Sequence, residues 1–333
     1  MARLDKVDGR WVNTDKPGGA VFFVGGGTAA VNGVGASDTY PGIRPEEPKS
    51  TIQDALDKTV AGRGDTVVVL PGSVTITAAL TMTKADVTLA GYTMTGSQTR
   101  NPSVIACATD SVEMIAIDAA NVTVENLTLD HNSTTAAVAL IDIGDVTISS
   151  YAILRNLYFD MEGSATDTDG VNVSTDTVSV GGLVEGCVFH DYDQDGIVIG
   201  AANDEWTIRN SKFYDGVTAN SGQYGISTVS DGSFVENCLF QTDGTAAIYM
   251  NVALLGMITD CKIFCTGANT IGVLAAALAT IHTSATYITA MAAGNVVDYT
   301  TSATVPSAAV VWEGIDSTNP TIGVLTTPTV GGS

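Results

Sequence analysis

The sequence predicts an all-β protein, a right-handed parallel β-helix whose short strands wind into one elongated solenoid from about Thr51 to Cys265. Three observations predict it. A polar turn residue flanked by short β-patterned segments recurs along the chain. An apolar ladder stands at a fixed offset from that turn, and the spacing varies from repeat to repeat while the motif persists.

The recurring segment reads Val122-Thr-Val-Glu-Asn126-Leu-Thr-Leu129, Ile153-Leu-Arg-Asn156-Leu-Tyr-Phe159 and Leu183-Val-Glu-Gly186-Cys-Val-Phe189. It continues as Thr207-Ile-Arg-Asn210-Ser-Lys-Phe213, Phe234-Val-Glu-Asn237-Cys-Leu-Phe240 and Ile258-Thr-Asp260-Cys-Lys-Ile263. Turn positions are separated by 30, 30, 24, 27 and 23 residues. Val87-Thr-Leu-Ala-Gly91 and Val67-Val-Val-Leu-Pro71 extend the series upstream with steps of 35 and 20, giving eight coils. A variable period with a constant motif places insertions in loops and fixes the strands by stacking on their neighbours. Parallel crossovers turn right-handed, which sets the expected hand.

Each column has a physical job. Asn126, Asn156, Asn210, Asn237 and Asp260, with Gly91 and Gly186, occupy a bend expected at positive φ, which Asn, Asp and Gly tolerate best. Stacked Asn side chains can also hydrogen-bond from coil to coil. Leu129, Phe159, Phe189, Phe213, Phe240 and Ile263 are expected to form one inward stack. Just after the turn, Leu127, Leu157, Cys187, Ser211, Cys238 and Cys261 form a smaller buried column in which free Cys acts as a small hydrophobe. A second ladder runs through Val171, Ile197, Ile226 and Ile248, preceded by Gly170, Gly196, Gly225 and Ala247, where Gly is expected to let the chain turn sharply into the strand.

Before the first coil, Ser50 to Val60 places apolar residues at 52, 55, 56 and 60, with Ser50 as N-cap and Gln53 three residues on. This short amphipathic helix is expected to cap the open solenoid end. The succession Val21-Phe-Phe-Val, a Gly/Asp loop, Pro45 to Pro48, Thr51-Ile-Gln-Asp-Ala-Leu and Gly64-Asp-Thr-Val-Val-Val-Leu-Pro-Gly72 resembles the opening of pectate-lyase-like right-handed β-helix proteins. The resemblance covers roughly residues 20 to 265 and is most like β-helix proteins of bacteriophage particles, whether capsid decorations or tail spikes. The expected organisation is an N-terminal arm (1–49), the β-helix with its capping helix (50–269), and C-terminal coils or a cap (270–333). That last stretch, without Lys or Arg and rich in Ala, Thr and Val, reads as further irregular coils or as a surface for self-association.

With 36 acidic and 14 basic residues the net charge is −22, which disfavours a nucleic-acid partner. No run of eighteen apolar residues suggests a membrane span, and Met1 to Asp8 lacks a signal-peptide stretch. Assembly in a host cytoplasm is therefore expected. Five cysteines in such a chain predict free thiols. The Gly25-Gly-Gly27 run has no Walker lysine, so no cofactor is expected.

The enzymatic hint is Asp167-Thr-Asp169-Gly-Val followed, one coil later, by Asp193-Gln-Asp195-Gly-Ile. These resemble the paired acids of polygalacturonase-type hydrolases, which implies one carboxyl protonating a leaving oxygen and another activating water. Asp169, Asp193 and Asp195, with His190 nearby, are the candidate catalytic residues. The Gly-His-Gly and Arg-Ile-Lys segments of that family are missing, since the corresponding strands read Tyr224-Gly-Ile-Ser and Ala247-Ile-Tyr-Met. Asp191, Asp193 and Asp195 alternate as a calcium-binding carboxylate array could, though acids before Gly are also ordinary turn formers.

Resemblance and exclusions together lead to the expectation of a structural protein exposed on a tailed-phage particle. It would decorate the capsid or form a short spike as a homotrimer, against the major capsid protein or tail components, with surface polysaccharide as a further contact. The alternatives are a polysaccharide-degrading enzyme, a polygalacturonase-like glycoside hydrolase, a polysaccharide lyase or a phage depolymerase, and a bacterial adhesin.

Overall fold

The computed structural model describes residues 4–7, 10–13, 18–25, 36–37, 39–92, 100–107, 109, 111–131, 138–144, 149–161, 168–174, 180–192, 194–201, 203–215, 224–230, 232–250, 256–266, 271–276, 281–284, 286–290, 297–300, 310–313 and 316–317. Three parallel sheets of eleven, ten and nine strands wrap one core among these residues, and a two-stranded antiparallel ribbon, Leu4–Val7 with Arg10–Asn13, precedes them. Each winding contributes one strand to each sheet. Thr123–Glu125, Thr128–His131 and Ile141–Ile143, for example, enter the eleven-, ten- and nine-stranded sheets in turn. The result is a parallel β-solenoid with almost no helix.

All eight aligned segments supply strands to the eleven-stranded sheet, from Thr66–Val69 to Gly256–Thr259. That sheet also takes in Val21–Val24 at one end and Ile281–Ser284 and Val310–Glu313 at the other. The expected turn residues hold positive φ: 61° at Asn126, 51° at Asn156, 66° at Gly186, 54° at Asn210, 48° at Asn237 and 53° at Asp260. Their carboxamides join coils, Asn156 Nδ2 donating to Asn126 Oδ1 at 3.3 Å and Asn237 Nδ2 to Asn210 Oδ1 at 2.8 Å.

Two upstream assignments need correction. Gly91 closes the strand Thr88–Gly91 rather than a left-handed turn, and a Cβ there would lie 1.9 Å from the carbonyl oxygen of Asn126. Close approach of the next coil, not φ, demands the glycine. Pro71 is out of register, because the residue opposite Gly91 is Val69. The extra residues fall between strands, where a solenoid absorbs them.

The inward ladder is as read. Leu129, Phe159, Phe189, Phe213, Phe240 and Ile263 stand in register with nothing exposed. The four phenyl rings stack at centroid separations of 4.4, 4.7 and 4.7 Å with interplanar angles of 8°, 1° and 6°. The second ladder runs through Val171, Ile197, Ile226 and Ile248 and on to Val273. Its glycines serve the phenylalanines. A Cβ on Gly170, Gly196 or Gly225 would come within 2.7, 2.9 and 2.9 Å of Cδ1 of Phe189, Phe213 and Phe240 respectively, and nearer still to a carbonyl oxygen of the next coil. Gly is therefore required by ring volume, not by a sharp turn. Trp206, also fully buried, fills the space left by Gly182, where a Cβ would lie 2.4 Å from the indole.

The segment before the first full coil forms a five-residue helix, Ile52–Leu56, packed on the strands Val21–Val24, Thr66–Val69 and Leu80–Met82. Its N-cap is Thr51, whose side chain accepts from Asp54 N, rather than Ser50. Ile52, Ala55 and Leu56 are buried, but Val60 lies beyond the helix and is 48% exposed. Behind it Asp65 is fully buried, pairing with Arg63 at 2.6 Å and accepting Ala20 N and Val60 N at 2.7 Å. Burial alone would raise that carboxyl, but the guanidinium and the two N–H groups outweigh it and hold it below the usual carboxylate range.

Candidate functional site

The acids singled out by sequence stand where the chain enters the nine-stranded sheet. Asp195 opens the strand Asp195–Ile199, and Asp169 precedes Val171–Val173 one coil earlier. Asp169 Oδ1 accepts Asp195 N at 3.0 Å, and Asp195 Oδ1 accepts Tyr224 N at 2.9 Å. Each carboxyl thus closes a backbone donor of the next coil. Asp195 is 5% exposed, and burial, then the charge of Asp169, pushes its carboxyl up to about 8 against the opposing pull of the Tyr224 N–H. A carboxyl that holds its proton at neutral pH can serve as an acid only where a substrate reaches it. Burial keeps Asp195 from a large substrate. Asp193 lies outside the described residues.

Behind Asp195 is a buried polar cluster that the sequence did not announce. Tyr192 is 1% exposed, and its hydroxyl lies against Thr242 and the carboxylates of Asp215, Asp195 and Asp243. Asp215 Oδ2 accepts Thr242 Oγ1 and Gly244 N, each at 3.1 Å. Burial and then the Asp215 charge hold the Tyr192 phenol well above its usual range.

His190 belongs elsewhere. It ends the strand Val188–His190 on the outward side of the ten-stranded sheet, in register with Asp160 and Tyr214. Its Nδ1 lies 3.6 Å from Asp191 Oδ2 and 3.9 Å from Asp160 Oδ1. Its ring stacks beside Tyr158 at 6.0 Å and 27°, Arg100 pairs with the buried Asp160, and the Arg100 guanidinium carbon stands 5.7 Å from the Tyr158 ring centre. The structure therefore joins His190 to Arg100, Tyr158 and Asp160, not to Asp169 and Asp195. Asp160 stands one coil below His190, a relation visible only once the register is known. Asp191 turns to His190 and Asp195 to the backbone, and among the described residues no group of three His, Cys, Asp or Glu side chains is arranged to hold a metal ion.

The cysteines are free and buried. Cys187, Cys238 and Cys261 direct Sγ at the carbonyl two residues back, at 3.6, 3.3 and 3.3 Å, as Ser211 Oγ does at 2.9 Å. Burial pushes the Cys187 and Cys265 thiols up to about 12. Sulfur and hydroxyl play the same structural part here.

No family model matches the chain, and no curated protein matches it. Among solved structures it is similar to the PL6 family alginate lyase AlyGC, with a TM-score of 0.59 and 13% identity over 89% of this chain and 39% of that one. Other matches are the pectate lyase Pel9A (TM-score 0.49, 12% identity, 92% of this chain and 82% of that one) and ORF18 of Geobacillus virus E2 (0.41, 14%, 95% and 68%). At these identities the likeness is one of fold, that of the pectate-lyase-like parallel β-helix. Among the described residues no helix is long and apolar enough to cross a membrane.

Proposed function

We propose that this protein is a non-enzymatic structural rod exposed on a tailed-bacteriophage particle, as a capsid decoration or short spike built from several copies. What carries the reading is the internal use of the paired acids: Asp169 and Asp195 each satisfy an N–H of the next coil, and Asp195 is buried. A stack of sheets with a laddered core is stiff along its axis and suited to display. The winding is right-handed, as parallel crossovers are, and the helix Ile52–Leu56 covers the first coil against edge pairing. The acidic surface, −22 in net charge, resists non-specific contact with host nucleic acid.

A second reading rests on the outward cluster of Arg100, Tyr158, Asp160 and His190, which offers a cation, an imidazole and an aromatic platform to a surface polysaccharide. One experiment separates the two. The purified protein is incubated with anionic and neutral polysaccharides while unsaturated uronides and new reducing ends are measured. Neither should form. Cleavage that disappears in His190→Ala or Asp195→Asn would overturn the non-enzymatic reading, and antibodies that fail to label intact particles would overturn the display.

A further inference from the structure

The outward side of the eleven-stranded sheet carries two columns in register. One reads Ile153, Leu183, Thr207, Phe234, Met257 in strict register, each partly exposed. Two residues along the same strands, and so on the same side of the pleat, the other reads Glu125, Arg155, Glu185, Arg209, Glu236. Charge alternates at every coil. Arg155 Nε bonds Glu185 Oε2 at 3.1 Å and Arg209 Nη2 bonds Glu185 Oε1 at 2.8 Å, so each guanidinium leans on its neighbour.

These columns matter because of what surrounds them. After Arg100 the chain holds 26 acidic residues and four basic ones, Arg155, Arg209, Lys212 and Lys262. Like-charge repulsion opposes contact between copies over most of such a surface. Here two cations, Arg155 and Arg209, balance the two carboxylates that reach the surface, Glu185 and Glu236, with Glu125 buried at the end of the column, beside an unbroken stripe with no charge at all. The outward columns of the other two sheets, Asp142, Asn172, Val198, Ser227 and Tyr249 on the nine-stranded one and Tyr158, Val188, Lys212, Leu239 and Lys262 on the ten-stranded one, show no alternation of charge.

We infer that this face packs against the same face of a second copy, with the two solenoid axes antiparallel. An alternating ladder reads the same in both directions. A two-fold axis along the strands, passing between the coils of Glu185 and Arg209, sets Glu185 against Arg209 of the second copy and Arg155 against its Glu236. The same axis sets Ile153 against Phe234 and Leu183 against the uncharged Thr207, so no charge is buried along this stripe. A parallel pair would place each coil on itself and each charge on its like. A closed threefold ring joins two different faces of neighbouring copies and leaves this self-matching one unused.

The inference rests on the reading of the protein as an assembled rod, and the test keeps the two apart. Light scattering at micromolar concentration should give a mass of two chains, and Phe234→Asp should give one chain with an unchanged circular dichroism spectrum. Under mild oxidation a mixture of Ile153→Cys and Phe234→Cys proteins should form a cross-linked pair that neither forms alone. A wild-type mass of one or three chains would overturn the antiparallel pair, as would cross-linking of Ile153→Cys with itself. Particle labelling by antibody tests the display independently of either result.

Discussion

Two corners of the solenoid solve the same problem with different side chains. Where the chain passes from the eleven- to the ten-stranded sheet, Asn126, Asn156, Asn210 and Asn237 stack and bond amide to amide. Where it enters the nine-stranded sheet, Asp169 and Asp195 accept backbone N–H groups of the following coil. A carboxamide both donates and accepts, so each member can serve the next without accumulating charge. A carboxylate only accepts, and a second one beside it must hold a proton, which is the state burial imposes on Asp195. The acid column accordingly passes to Tyr224 and Ala246 after two members, while the amide column spans five coils with one glycine gap.

Both corners depend on the spacing kept by the stacked rings between them, so breaking the stack should have the largest effect. Phe213→Ala removes a fully buried ring lying between Phe189 and Phe240, and is expected to cost about 3–5 kcal/mol in chemical denaturation. A loss below about 1 kcal/mol would place Phe213 outside the core and dissolve the register on which the comparison stands.

The acid corner should then reveal itself through pH. Asp195 keeps its proton to about pH 8 in the folded chain, whereas an unfolded Asp releases it near pH 4. Between these values the native state binds more protons, so stability should fall as pH rises, with a slope of up to about 1.4 kcal/mol per unit. Asp195→Asn keeps an oxygen for Tyr224 N and should flatten that slope. The contrast is Asp65, whose depressed carboxyl contributes stability at neutral pH that is lost as pH falls through the acid range. A variant with the wild-type slope over pH 5 to 7 would assign the proton to another group.

The fold was legible in the sequence because each column repeats a physical requirement that composition alone displays. Asn at a left-handed bend and Phe on an inward ladder each recur in four coils. The site was less legible. Asp169 and Asp195 were correctly placed in adjacent coils, but their use as acceptors depends on which N–H lies beneath each carboxyl, and a sequence does not carry that direction. Grouping His190 with these acids failed because nearness in the chain crosses a corner here. Its spatial neighbour Asp160 is 30 residues away and one coil below. The glycines of the second ladder were seen but misread, since the Phe they accommodate sits on a different sheet. The alternating Glu and Arg before the turn was present in the same aligned segments, and charge read along a column rather than along the chain would have found it.

The cysteine column tests whether the amide corner is sealed from solvent. Cys187, Cys238 and Cys261 are 0, 2 and 1% exposed. They should stay unlabelled by a thiol reagent until denaturant is added, and Cys187→Ser should cost only about 1 kcal/mol, because Ser211 already occupies the column with an equivalent bond to the chain. Rapid labelling of all three in the native state would show an open corner.

The smallest effect bears most directly on why amides repeat. Gly186 interrupts the Asn column between Asn156 and Asn210, at a φ of 66° that Asn adopts readily. A Cβ there would lie 2.6 Å from Asn156 Oδ1, which is a side-chain terminus able to rotate away, and 3.9 Å from the nearest backbone atom among its close neighbours. Gly186→Asn should therefore be accommodated and should complete the ladder in both directions. The gain combines one or two amide bonds, opposed by the side-chain entropy they fix, with the lower unfolded-state freedom of any residue that replaces glycine, and is expected near +0.5 kcal/mol. Gly186→Ala has the same backbone effect but no amide, and Ala tolerates a left-handed φ less well, so it should destabilise. If both variants lose stability equally, the carboxamide contributes nothing at this corner. The repetition of Asn would then reflect only its tolerance of positive φ, and the contrast with the acid corner would reduce to backbone geometry.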